Sequence, residues 1–238
     1  MSPSGLHYFP LAWPALIGLA VLLGALIGTV AAGVLRFASA SMGISASSML
    51  LVLLLTLIGS YINIPLAYLP ERHVTTAAYV AFFGMVYRIP IEREWPATLL
   101  AVNLGGAVIP TALSLYLIVK NGIYGLSVLG IALVAFVCHL VARPVPGLGI
   151  AEPVFIPPIV TAIVAVTLTR RYAAPLAYVS GSLGTLIGAD LLNLGKIQGL
   201  GAPIASIGGA GTVDGIFVTG LLAVLYAGLG ARLSERRI

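Results

Sequence analysis

Long apolar stretches recur along the chain, separated by short connections that hold nearly all of its charge. Seven of them, at roughly 12–35, 46–69, 97–119, 122–142, 153–170, 172–195 and 212–232, approach the length of a membrane-spanning helix, which needs about 20 apolar residues. Their ends carry interfacial markers: Trp13 and Trp95 stand near the starts of the first and third, Tyr116 and Tyr124 bracket the turn between the third and fourth, and Tyr172 opens the sixth. Amphipathic rings favour that depth. Lys120, Arg143, Arg170, Arg171 and Lys196 punctuate the turns. The pattern predicts an all-α membrane fold, a polytopic bundle of about seven transmembrane helices forming a single integral domain over residues 1–238.

One stretch has a different rhythm. VTTAAYVAFFGMVYRIPI, Val74–Ile91, is short, rich in β-branched and aromatic residues, and followed by Glu92, Arg93 and Glu94. It reads as a short interfacial β-hairpin turning near Gly84. Two further segments, 144–158 (PVPGLGIAEPVFIPP) and 199–212 (GLGAPIASIGGAGT), mix Gly and Pro with apolar residues. Irregular backbone at membrane depth survives only where protein or a water-filled cavity satisfies it. Surface loops are the other reading of these segments, although both stand beside acidic residues.

Composition excludes a water-soluble globule: 60% of the 238 residues are hydrophobic and 8% charged, against about 25% charged in soluble domains. The mean hydropathy is +1.10. The net charge of +5 is spread singly along the chain, so there is no continuous basic face for nucleic acid. The natural partner is the lipid bilayer, and the expected location is a prokaryotic cell membrane. Counting Lys and Arg over seven spans favours the C-terminus inside. The first basic residue is Arg36, so the first apolar stretch is expected to remain as a helix rather than be cleaved. The single cysteine, Cys138, excludes a disulfide framework, and the three histidines have no zinc-ligand spacing. No metal or cofactor is expected. GGAGTVDG lacks the Lys-Ser/Thr of a phosphate loop.

The only aspartates, Asp190 and Asp214, both fall within predicted spans. A carboxylate at the centre of a spanning helix costs about 3 kcal/mol on insertion scales, so each calls for a reason. Asp190 lies about 8 Å from the end of the sixth span and Asp214 about 3–6 Å into the seventh, at 1.5 Å per residue. Consecutive antiparallel spans would bring both to one leaflet at similar depth. Two carboxyls meeting in a low-dielectric site share a proton, the state an aspartic protease uses. The competing reading gives each aspartate its own cation or a helix end to cap, with Thr212 beside Asp214. Asn193, at i+3 from Asp190, is placed to join the site, as are Gly208, Gly209, Gly211, Thr212 and Gly215 of the adjoining segment. Glu152 is expected to pair with Arg143. His139 is read as packing. Gly181, Gly184 and Gly188 read as a close-packing stripe, facing a different neighbour from Asp190.

The run GADLLNLGKI…GAPIASIGGAGTVDGIFVTGLLAVL from residue 188, with ARPVPGLGI…FIPP before it, resembles a family of prokaryotic multi-span membrane proteins described only as a domain of unknown function. A weaker similarity runs to presenilin-type and prepilin-type intramembrane aspartyl proteases, which place one aspartate on each of two neighbouring helices, the second in Gly-x-Gly-Asp. Gly211-Thr212-Val213-Asp214 keeps the first glycine and has Val213 at the second; the presenilin Pro-Ala-Leu motif is absent. That similarity implies an intramembrane aspartyl hydrolase with Asp190 and Asp214 catalytic and a membrane-protein or peptide substrate. The alternative is a secondary transporter or channel, with Asp190, Asp214 and Glu152 at an ion or proton site beside broken helices.

Overall fold

The computed structural model describes residues 13–70, 72–82, 85–95, 97–145, 149–197, 204–209 and 219–228. The apolar runs fold mainly as helices. Helix α1 (Trp13–Met42) ends where Gly43 takes φ 68°. The chain then turns through 109° into α2 (Ala46–Gly59). Ser45 caps α2 by accepting the Ser48 N–H at 3.0 Å, which satisfies one of the amides a helix start leaves over. Lys120 Nζ donates to the Gly43 carbonyl and lies 5.5 Å from the Tyr116 ring centroid, pinning the bend to a later helix.

The second and third expected spans are only partly helical. After α2 the chain forms strand β1 (Asn63–Leu69), then the hairpin β2 (Arg72–Phe82) and β3 (Met85–Trp95), then β4 (Thr98–Asn103). A π-helical turn (Leu104–Val108) leads into α3 (Ile109–Asn121). The hairpin expected at 74–91 is present and longer than anticipated, with register running from Arg72–Trp95 to Phe82–Met85. Apolarity alone did not reveal that 63–69 and 98–103 are strands. They pair antiparallel with each other, and β4 pairs parallel with β7 (Ile204–Ile207), in the order β1-β4-β7. The ladder satisfies backbone groups that a helix would satisfy internally.

Asn103 ties this sheet to the helices. Its side chain is buried, donates to the Ser60 carbonyl at 2.7 Å and to Asn63 Oδ1 at 3.0 Å, and accepts the Gly106 N–H at 2.8 Å. Asn63 Oδ1 also accepts from Ser206 Oγ at 2.6 Å. One buried amide thus fixes the end of α2, β1 and the π-helical turn, and through Asn63 it reaches β7 as well.

The second half contains α4 (Tyr124–Val141), a short hairpin of β5 (Arg143–Val145) and β6 (Gly149–Ala151), α5 (Ile156–Leu168), and α6 (Ala173–Thr185). Helix α6 continues through a π-helical turn (Leu186–Asp190) and a 3-10 turn (Leu191–Lys196). Helix α7 covers Thr219–Gly228. Pro157 and Pro158 sit in the first turn of α5, where a missing N–H costs nothing. Among the described residues, Leu104–Asn121 and Tyr124–Val141 are long and apolar enough to cross a membrane, and the bent α1–α2 pair would make a third span if counted as one. Helix α5 has 13 residues, about 20 Å of rise against a hydrocarbon core of about 30 Å. Helix α6 is the centre of the assembly, with every residue from Ala173 to Thr185 except Leu183 buried. Tyr178 and Val179 pack with Leu113, Leu117 and Val224 on one side, and Leu176 and Ala177 with Ala162, Ala165 and Ala223 on another.

Candidate functional site

The small residues of α6 set how closely its neighbours approach. A Cβ on Gly184 would lie 2.7 Å from Val134, and one on Gly188 would lie 2.3 Å from the Ala135 carbonyl oxygen and 2.8 Å from Cys138 Cβ. Both therefore face α4. Gly181 faces Thr161 of α5 and Gly220 of α7. The stripe is close packing, as expected. It brings the end of α6 against the end of α4, and the β5–β6 hairpin returns the chain to the same place at Glu152.

Asp190 ends the π-helical turn of α6 and accepts the Gly208 N–H through Oδ2 at 2.7 Å. Such turns insert a residue into the helical ladder and recur at functional sites. The donor is held by unusual backbone. Gly208 and Gly209 have φ of 88° and 92°, and a Cβ on Gly208 would lie 2.6 Å from the Ala107 amide nitrogen. Only glycine fits there. The turn after β7 thus lies against the Gly105–Ala107 turn after β4 and delivers an amide to the carboxylate.

Glu152 does not take the partner expected for it. Arg143 pairs with Ala151 across the β5–β6 ladder and is exposed, whereas Glu152 is turned inward, where the Cys138 thiol hydrogen-bonds to it and the Asp190 charge acts on it. Its Oε1 is buried with no hydrogen-bond partner among the described residues. Cys138 Sγ lies 3.6 Å from Thr185 Oγ1. Burial pushes the Glu152 carboxyl up from 4.5 to about 7, with the Asp190 charge adding to the rise and the Cys138 hydrogen bond working against it.

That displacement fixes the sign of a pH effect. The folded chain binds the Glu152 proton more tightly than the unfolded chain. The stabilisation is therefore full below pH 4.5 and is lost as the pH rises through about 7. Glu152→Gln removes the titration. The variant should match the parent near pH 4 and be more stable near pH 8 by about 2–3 kcal/mol, read from unfolding in detergent micelles at the two pH values.

Asn193 is fully buried and occupied. It donates to the carbonyls of Gly188 and Ala189, both at 2.9 Å, and accepts from Lys196 Nζ at 2.8 Å. It closes the end of the helix that carries Asp190. Gly209 donates to the Ser206 carbonyl at 3.2 Å. Gly211, Thr212, Asp214 and Gly215 lie outside the described residues, and with them the pairing of Asp190 with Asp214. Among the described residues no group of His, Cys, Asp or Glu has a metal-binding arrangement. The transporter reading of the sequence already grouped Glu152 with Asp190; what sequence reasoning missed is that Glu152 turns towards Cys138 rather than Arg143. The available signal was the place of Glu152 directly after β6, whose antiparallel pairing with β5 returns the chain towards the end of α4.

Neither the curated proteins nor the solved structures contain a match to this chain. A protein-family pattern matches residues 57–226, which includes β1, the Asn103 network, Glu152 and Asp190. The chain belongs to the family described as "Protein of unknown function (DUF1614)".

Proposed function

We propose that the protein is a multi-pass transporter of a prokaryotic cell membrane, built on about seven spans, that couples solute movement to a proton held by Glu152 and Asp190. The observation that carries this reading is the electrostatic coupling of the two acids: Glu152 has a buried oxygen with no hydrogen-bond partner among the described residues and lies in the field of Asp190. Partly buried acids in a membrane protein that lie within each other's field are suited to binding and releasing protons. The surrounding backbone has the broken character of carrier sites: a π-helical turn ends at Asp190, two three-residue strands precede Glu152, and a Gly-Gly turn donates to Asp190.

The second reading, an intramembrane aspartyl hydrolase using Asp190 and Asp214, is favoured by a different observation. The Asp190–Gly208 hydrogen bond draws onto Asp190 the very segment that leads, six residues later, to Asp214.

The deciding experiment is uptake by proteoliposomes of the full chain across an imposed pH gradient, using labelled amino acids, sugars, carboxylates and sodium as probes. Accumulation that depends on the gradient and is lost in Glu152→Gln supports the transporter. Cleavage of a membrane peptide that survives in Glu152→Gln and fails in Asp214→Asn supports the hydrolase.

A further inference from the structure

Between α5 and α7 runs an open groove of about 420 Å³, lined by Ile159, Ala162, Ile163, Val166 and Thr167 of α5 and Tyr226 of α7. Its volume falls within the roughly 300–1,000 Å³ typical of ligand sites. The wall offers almost nothing polar. The one hydroxyl that α5 contributes to the lining, on Thr167, is already spent on the Ile163 and Val164 carbonyls at 2.8 and 2.9 Å. From Ile159 to Thr167 the groove follows the helix for about 12 Å. It is therefore an elongated apolar slot, matched to a flexible hydrocarbon chain rather than to a polar solute.

Its Thr167 end carries the charge. Three and four residues beyond Thr167 stand Arg170 and Arg171, adjacent and both exposed, with the Arg171 guanidinium 5.1 Å from the centroid of the Tyr172 ring. The helix ends at Leu168 and the chain turns there, so the pair sits at the boundary where α5 gives way to its connection with α6. Paired guanidinium groups at such a boundary attract phosphate-bearing headgroups.

We propose that this groove binds one anionic phospholipid, with an acyl chain lying along α5 and its headgroup phosphate on Arg170 and Arg171. The proposal rests on the membrane placement of the bundle and is independent of what Glu152 and Asp190 do.

The test uses the full-length protein, delipidated in detergent. It is titrated with dioleoyl phosphatidylglycerol or dioleoyl phosphatidylcholine, and bound lipid is counted by native mass spectrometry. The parent protein should prefer phosphatidylglycerol by at least about fivefold. Arg170→Ala with Arg171→Ala should reduce that preference to below about twofold while phosphatidylcholine binding stays unchanged. Ala162→Phe fills the slot and should lower binding of both lipids; Ile163→Asn, at an exposed position on the wall, makes the same test if the bulky variant fails to fold. Equal occupancy by the two lipids in the parent protein, or unaltered binding in a folded groove variant, overturns the proposal. Failure to float with liposomes would instead overturn the membrane placement, so the two outcomes are read separately.

Discussion

Gly188→Ala should destabilise the protein by about 3–4 kcal/mol, at or beyond the upper end of ordinary overpacking costs. The added methyl would sit 2.3 Å from the Ala135 carbonyl oxygen and 2.8 Å from the Ala135 Cα. Both obstacles are backbone, so no side-chain rotation relieves them, and α4 as a whole has to move away from α6. Cys138, which meets the same methyl at 2.8 Å, moves with it and carries the thiol away from Glu152 and Thr185. Gly195→Ala provides the control. Nothing lies within 4 Å of its added methyl, and alanine is the better helix former. Thermal unfolding in micelles should show a drop on the order of 10 °C for the first variant and almost none for the second. Parallel melting of the two would mean that α4 and α6 do not meet as closely as the glycine stripe requires.

Asp190→Asn should reduce gradient-driven uptake by at least about 100-fold while leaving the fold intact. The carboxamide oxygen can still accept the Gly208 N–H that Oδ2 now accepts at 2.7 Å, so the turn after β7 keeps its anchor. What disappears is the ionisable carboxyl that the proposed proton exchange with Glu152 requires. Retained thermal stability with lost uptake places the defect in proton handling, whereas loss of both would make Asp190 a structural acceptor. Glu152→Gln separates the two functional readings, because aspartyl hydrolysis by Asp190 and Asp214 has no use for it.

Much of this was written in the chain at the level of periodicity and composition. Uninterrupted apolar runs gave α1, α4, α5 and α6, and β-branched and aromatic density gave the β2–β3 hairpin. The strands at 63–69 and 98–103 were not legible, because NIPLAYL and TLLAVN are short apolar runs that suit a buried helix end equally well. What decides for strand is a long-range partner, the parallel β4–β7 ladder linking residues a hundred positions apart. The same limit applied at the site. Asp190 stood out because an acid in an apolar run is costly, but its contacts depend on the Gly208–Gly209 turn. Glu152 looked like the mate of nearby Arg143 until strand register turned the two apart. Asn103 is a lone amide in the sequence, and its role emerges only once Ser60, Asn63 and Gly106 converge on it.

The most direct test of the carboxyl pair is the protonated-carboxyl band in the infrared spectrum of the full-length protein in lipid, followed from pH 5 to pH 9. Glu152 should give a band that persists at pH 6, fades with a midpoint near 7 and is missing from Glu152→Gln. A spectrum without a protonated carboxyl at pH 6, or one that Glu152→Gln leaves unchanged, would contradict a proton held between Glu152 and Asp190.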